Sequence, residues 1–379
     1  MIRELPMGTV PKPLFSGSAH AVGGRALRDN WTCVLVAQLA PPSIRPANDL
    51  GDIMKLHRRT FLHLAAGATV LPALPHIAWA QAYPIRPVRV IVPFAAGGPT
   101  DVLARLISQK LSDRFGRQFY VENKPGAGSS IGTGEAARAI ADGYTVLVTT
   151  DGYAINPTLF ERIPYDPQGS FEPVTILATV PQVITVNPAV PAKTLGDLIA
   201  LIKTNPGKYS FASPGTGTQP HLLGELLRLS LSIDLVHVPF GGGGPAAASV
   251  IAGHTPIYIG SPVPVLEQIR AGKLLAVAVT SSARAISLPD VQTTAEAGYS
   301  NVAGESWLGM LVPAGTPTEI VNTLNREARR VLELPDVKER LSVLGLQPSA
   351  SSSEEFAQRI RVDVERWGTV IRAANIKPE

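Results

Sequence analysis

A single cysteine, Cys33, stands in 379 residues. The chain therefore forms no internal disulfide, and no cysteine pair exists to seat zinc or an iron–sulfur cluster. Its seven histidines are spread out, without the H-x-x-x-H or H-E-x-x-H spacing that puts two ligands on one helix face, so no metal or other cofactor is expected. Aromatic residues make up 6% and charged residues 17%, with a formal net charge of only +4. Tracking a nucleic-acid backbone takes a basic stripe interleaved with stacking rings. No such run occurs, which excludes nucleic acid as a partner. Nor does any apolar stretch reach the roughly 20 residues of a membrane span.

What the chain has in quantity is glycine and proline, 34 of each, on a 45% hydrophobic background. That is the composition of a turn-rich globular protein long enough for two domains. One early segment is set apart. "MKLHRRTFLHLAAGATVLPALPHIAWAQAYP", starting at Met54, is basic, then weakly apolar, then carries Ala78-Trp79-Ala80, a small-x-small cleavage pattern. Residues 54–80 read as an export signal, and Arg58-Arg59 followed by Thr60-Phe61-Leu62 leaves open the general secretory and the twin-arginine forms. Cleavage after Ala80 leaves 379 − 80 = 299 residues without cysteine, which suits a bacterial periplasm. Residues 1–53 carry no sustained period. Translation is expected to begin at Met54, with 1–53 an upstream extension.

From Val88 onward short β-branched runs alternate with amphipathic segments, the pattern of an α/β protein with largely parallel sheets. Strands are expected at 88–93, 118–121, 145–149, 174–186, 209–212, 235–239, 256–259, 274–280 and 307–312. Helices are expected near 100–115, 130–141, 194–204, 219–231, 244–252, 263–271, 317–333, 336–344 and 353–374. So many strands exceed one compact doubly wound sheet, which predicts two sheets in two domains.

Four junctions share one design. "VRVIVPFAAGGPTDVLARLIS" (88–108), "NKPGAGSSIGTGEAARA" (123–139), "SFASPGTGTQPHLLGELLRL" (210–229) and "HVPFGGGGPAAASVIAGH" (237–254) each run strand, glycine-rich turn, helix. A helix start leaves backbone N–H groups unpaired where the macrodipole is positive, so an anion is at home there. In open α/β sheets these starts share an edge with the strand ends, and ligands bind in the crevice outside it. No arginine or lysine stands within the turns themselves, so the anion they suit is one held by many weak donors, a carboxylate. Asp101 reads as a stabiliser of its helix start or as the partner of a ligand amine. His221 reads as a packing or capping residue.

Two enzyme motifs overlap the second turn. Gly126-Ala127-Gly128 with Gly132 looks like a nucleotide-binding loop with Asp151 as a ribose-binding acid, but Glu122-Asn123-Lys124-Pro125 separates it from the strand that should feed it. Gly128-Ser129-Ser130-Ile131-Gly132 fits the nucleophile elbow G-x-S-x-G with Ser130 central, so a secreted serine esterase is the alternative function. Pro125 again breaks the required strand, and no HGGG-type oxyanion loop precedes it.

"YPIRPVRVIVPFAAGGPTDVLARLIS", "VENKPGAGSSIGTGEAA", "FASPGTGTQPHLLGELL", "LVHVPFGGGGPAAASVIAG", "AGKLLAVAVTSSARAISLPDVQTTAEAG" and "WLGMLVPAGTPTEIVNTLNREA" together resemble the periplasmic substrate-binding proteins of tripartite tricarboxylate transporters, the Bug family. The likeness is collinear from about 83 to 375. It implies a type II periplasmic-binding-protein fold: two α/β domains with an interdomain ligand cleft, domain 1 formed by 81–182 and 306–379 and domain 2 by 183–305. It also implies a non-catalytic monomer that captures a small carboxylate and hands it to a membrane permease. Carried over, the resemblance assigns ligand contacts to Phe94, Ala96, Gly97, Gly98 and Asp101, and to Gly126, Ala127, Gly128, Ser129, Ser130 and Thr150. The opposing jaw would be Ser213, Gly215, Thr216, Gly217, Thr218 and His221, with Phe240, Gly241, Gly242 and Ser261. One departure stands out: Ile259-Gly260-Ser261 replaces a position that is acidic in many relatives, which disfavours a ligand whose amine needs that acid. An aromatic acid flanked by Phe94 and Trp307 would fill the space.

Overall fold

β1 (Val88–Val92) is apolar almost throughout because it is an interior strand, paired on both edges and covered on both faces. A glycine turn leads from it into α1 (Pro99–Phe115) and back to β2 (Phe119–Asn123), parallel to β1. A 3-10 turn at Ala127–Ser129 opens α2 (Ser130–Ala137), followed by β3 (Thr145–Thr150), also parallel to β1, and α3 (Gly152–Leu159). β4 (Phe171–Pro181), β10 (Glu305–Pro313) and the short β11 (Gln347–Pro348) complete a six-stranded sheet ordered β11-β4-β10-β3-β1-β2.

The second sheet takes its strands from the middle of the chain. β5 (Val183–Val186), α4 (Leu195–Thr204), β6 (Tyr209–Ser213), α5 (Gln219–Leu231), β7 (Leu235–Pro239), α6 (Gly243–Ile251), β8 (Ile257–Gly260), α7 (Leu266–Arg270) and β9 (Leu275–Val279) follow in order, and the sheet runs β7-β6-β8-β5-β9. After β10 come α8 (Thr318–Leu332), α9 (Pro335–Val343) and α10 (Ser353–Ala373). This computed structural model describes residues 83–378, all within the compact unit Ile77–Glu379. The upstream extension and the export signal lie outside the described residues.

The two α/β sheets are those the sequence predicts, but "largely parallel" needs correcting. β10 is antiparallel to β3 and β4, and β5 is antiparallel to β8 and β9. The cause is a double crossing: β5 and β10 bring the chain into one sheet from the other, and each inserts against the sense of its neighbours. For the same reason the single strand expected at 174–186 is two, β4 and β5, broken at Gln182, whose carbonyl accepts from Thr280 N–H at 2.9 Å. α3 was not expected at all. Its sequence, GYAINPTL, carries glycine, asparagine and an internal Pro157, all poor helix formers. Packing overrides propensity: Tyr153, fully buried, stacks on Tyr165 at 5.1 Å and meets the edge of Phe171 at 5.7 Å.

The first sheet buries Val88, Val90 and Val148 against Leu103 and Ile107 of α1 and Leu324 and Val331 of α8. On its other face Ile91, Leu147 and Trp307 pack with Phe356 and Ile360 of α10. The second sheet packs Phe211, Ile257 and Ile259 on Leu222, Leu223 and Leu227 of α5, and this core also takes in Ile155 and Leu159 of α3 with Trp367, Val370 and Ile371 of α10. α3 and the far end of α10 thus join the two sheets.

Candidate functional site

α1, α2, α3, α5 and α6 all begin at a strand end, and the residues at their starts border one cavity of about 720 Å³. The N-cap positions of these five helices, Gly98, Ser129, Asp151, Thr218 and Gly242, make no side-chain cap. By contrast α4 and α10, whose starts do not border the cavity, are closed by full capping boxes at Thr194 and Ser352. α7, α8 and α9 lack side-chain caps as well. What distinguishes the first five is that their starts stand at a cavity wall, although some of their N–H groups are already used: Gly152 N–H donates to Thr150 Oγ1 at 3.3 Å and Ser130 N–H to the Ala127 carbonyl. Each such end favours an anion by about 0.3–1 kcal/mol.

The turns are held from behind. Asp101 accepts from Gly97 N–H at 2.8 Å and from Asn123 Nδ2 at 2.9 Å, and pairs with Arg105 at 3.0 Å, while Asn123 Nδ2 also donates to the Phe94 carbonyl. Its carboxylate is thus committed to the loop. In the second turn Gly126, Ala127, Gly128 and Ser129 all have positive φ, at 132°, 46°, 58° and 81°. Two of them are not glycine, so the backbone holds a strained left-handed run at the cavity edge; Asn156 Nδ2, donating to the Gly128 carbonyl, secures it. In the third turn Gly217 N–H donates to His221 Nδ1 at 3.0 Å and Thr218 Oγ1 donates to the Gly215 carbonyl at 2.7 Å. His221 stacks on His237 with ring centroids 3.6 Å apart, and His237 Nε2 lies 2.7 Å from Ser213 Oγ.

Of the residues singled out from the sequence, Phe94, Gly128, Ser129, Thr150, Thr216, Gly217, Thr218, Gly242 and Ser261 border the cavity. Ala96, Gly97, Gly98, Asp101, Gly126, Ala127, Ser130, Ser213, Gly215, His221, Phe240 and Gly241 do not, and stand behind or beside the turns that do. Sequence reasoning missed the face of α3, with Gly152, Ile155, Asn156 and Leu159, together with Phe160, Gln182 and Ser306, and weighed Asp151 only as the ribose-binding acid of a nucleotide loop. A signal existed: Thr150-Asp151-Gly152 is a fifth strand end meeting a helix start, the same edge that carries the other turns.

Among the described residues Asp151 is the one ionisable group of the wall, and none of their lysines, arginines or histidines borders the cavity. Burial pushes Asp151 up to about 7, with Asp363 adding to the rise and Ser306 and Arg359 opposing it. Trp307 also borders the cavity, its indole N–H donating to Asp363 at 2.8 Å, and Asp363 is in turn paired with Arg359 at 2.8 Å.

Burial, then the neighbouring His237, pulls His221 down to about 3. Folded His221 is therefore neutral, and its contribution is present above the unfolded value of about 6.5 and lost as pH falls toward 3. Between pH 7 and pH 5 the wild-type protein is expected to lose about 2 kcal/mol more stability than His221→Gln, which stays neutral. Guanidinium unfolding at the two pH values measures this; parallel losses in both proteins would refute it.

Ser130 is no nucleophile here. Its hydroxyl is buried without a hydrogen-bond partner, so no histidine activates it, and the serine that does meet a histidine, Ser213, has no exposed surface.

The family model described as "Tripartite tricarboxylate transporter family receptor" matches residues 103–376. Protein BugT of Bordetella pertussis is 36% identical over 300 residues, 79% of this chain and 92% of that protein. Two solved Rhodopseudomonas palustris structures match over their full length: one with adipate (31% identity, 76–78% of this chain for the pair, TM-score 0.65) and MatC with bound malate (32% identity, TM-score 0.62). With a cavity walled by uncapped helix starts and these relatives, the chain belongs to the receptor family of the tripartite tricarboxylate transporters, the Bug solute-binding proteins, which bind and deliver solutes and are not enzymes.

Proposed function

We propose that this protein captures a small organic carboxylate in the cavity between its two sheets and delivers it to the membrane component of a tripartite transporter. The carrying observation is the set of uncapped helix starts around a cavity that contains no cationic side chain. Thr100 and Ser129 add hydroxyls to these amides. The volume, about 720 Å³, lies within the usual range for small-molecule sites. Adipate and malate in the relatives support the same ligand class. Without a guanidinium clamp each contact is weak, so affinity is a sum; micromolar binding takes only about 8 kcal/mol in total and leaves release to a permease easy.

The contacts we assign are Phe94, Gly128, Ser129 and Thr150 on one side, and Thr216, Gly217, Thr218, Gly242 and Ser261 on the other. Asp101, Ser213 and His221 act one layer back as positioning residues. The proposed domain boundaries, 81–182 with 306–379 against 183–305, are supported by the change of sheet between β4 and β5 and again before β10. The protein works as an exported periplasmic monomer; no helix of the described residues is long and apolar enough to cross a membrane.

A thermal-shift screen against organic acids tests this reading. At 100 times Kd a ligand adds about 2.7 kcal/mol, which is several degrees for a protein of this size. A melt unmoved by every carboxylate but raised by a sugar or a cationic amine would overturn it.

A further inference from the structure

Two acceptor oxygens on cavity-wall residues have no hydrogen-bond partner: Asp151 Oδ2 and Gln182 Oε1. Both residues are deeply buried, 7% and 2% exposed. They form one polar patch around Ser306, whose Oγ accepts from Gln182 Nε2 at 3.3 Å, donates to Gln219 Oε1 at 3.2 Å, and lies close enough to Asp151 to oppose the upward push of burial on its carboxyl. The Gln182 amide is oriented by its Nε2 donating to the Val180 carbonyl at 3.0 Å, which leaves Oε1 as the spare acceptor. Gln219 Nε2, also unpartnered, is a donor and packs against Gly304.

The rest of the polar wall offers donors at the helix starts, among them the hydroxyls of Thr100 and Ser129. A ligand that was only an anion would satisfy those and leave the Asp151 patch facing like charge. No cation among the described wall residues neutralises Asp151, and Arg359, whose charge acts on it, is engaged with Asp363 at 2.8 Å. An orphaned buried acceptor is costly, and that cost disappears when a donor arrives. The carboxylate plane turns freely about its last side-chain bond, a broad two-fold torsion, so the covered Oδ2 can swing to meet that donor.

We propose that Asp151, with Gln182, reads a hydrogen-bond donor carried by the bound acid, a hydroxyl or an ammonium group, so that substituted acids are selected over their unsubstituted counterparts. This rests on the carboxylate reading above and adds what the other end of the ligand must offer. Asp151 was outside the residues that the family resemblance assigned. Here it becomes the specificity-determining one.

Calorimetric titration of the purified protein at pH 8 with two matched series tests it: succinate, malate and aspartate, then 3-phenylpropanoate, phenyllactate and phenylalanine. In whichever series binds, the hydroxy or amino member should bind about tenfold or more tightly than the parent acid, as expected for one charge-assisted hydrogen bond. Asp151→Leu and, separately, Gln182→Met should shrink that ratio toward one, with folding checked by their melts. Asp151→Asn distinguishes the sources: it keeps an acceptor for a hydroxyl but loses the charge that an ammonium needs. Parent acids binding as tightly as their substituted forms, or a ratio that survives Asp151→Leu, would overturn the inference. If no member of either series binds while a sugar or a cationic amine does, the carboxylate reading itself has failed.

Discussion

Exchanging Asp151 for asparagine should stabilise the folded protein at pH 8 by up to about 4 kcal/mol, and at pH 4.5 by only about 1 kcal/mol. The reason is the direction of the shift. Burial lifts this carboxyl from 3.8 to about 7, so its folded value lies above its unfolded one. Below pH 3.8 the group is protonated in both states and costs nothing. As pH rises toward 7 only the unfolded chain releases the proton, and stability falls; above 7 the full cost remains. Asparagine never ionises and keeps a group able to meet Ser306. Guanidinium unfolding at the two pH values reads the difference, and an equal gain at both, or none at pH 8, would refute it. The same exchange is expected to erase selectivity for an ammonium-bearing ligand. Stability and recognition would then move in opposite directions at one residue, as happens where a site retains an expensive group for function.

Gly217→Val should weaken ligand binding by about thirtyfold or more, while the second sheet stays folded. Gly217 sits at φ +76°, where a β-branched residue is strained. A Cβ there would stand 2.3 Å from Leu159 Cδ2, on the opposite wall of the cavity. Leu159 is buried in the core that joins α3 to α5, so it has little room to give way. Overpacking of this kind costs about 1–3 kcal/mol and the left-handed backbone about 1–2 more, together about 2–5 kcal/mol, or roughly thirtyfold to several thousandfold in binding if the walls must part. Gly128→Val acts from the other side, at φ +58° with the Phe160 ring 3.1 Å from the added carbon. Gly244→Ala, inside α6 with nothing within 4 Å, is the matched control and should bind normally. Normal binding by Gly217→Val in a calorimetric titration would show that the approach of the turn to α3 is not needed.

The glycine-rich turns were legible because turn chemistry is local. A strand, small residues and a helix in fixed order leave the same free amides wherever they occur, and the turns found this way do reach the cavity. Their precise contacts were less legible. The family resemblance assigns Asp101 and His221 to the ligand, whereas their residue types read as a helix-start stabiliser and a packing or capping residue; each holds its own loop, Asp101 through Gly97 N–H and His221 through Gly217 N–H, because the side chain nearest a turn is also the one best placed to brace it. α3 was hidden altogether, since GYAINPTL is a poor helix by propensity and forms only because Tyr153 finds Tyr165 and Phe171.

By itself the sequence determined the α/β class, the two-sheet division, the glycine-rich helix starts and the absence of cysteine pairs and of metal-binding spacing. These follow from residue type and period alone. Only the tertiary structure decided that β5 and β10 run against their neighbours, that α3 supplies a wall of the site, and that Asp151, Gln182 and Ser306 meet there. Those three residues lie on segments far apart in the chain, and what makes them matter, shared burial and unpaired oxygens, does not exist until the chain has folded around them.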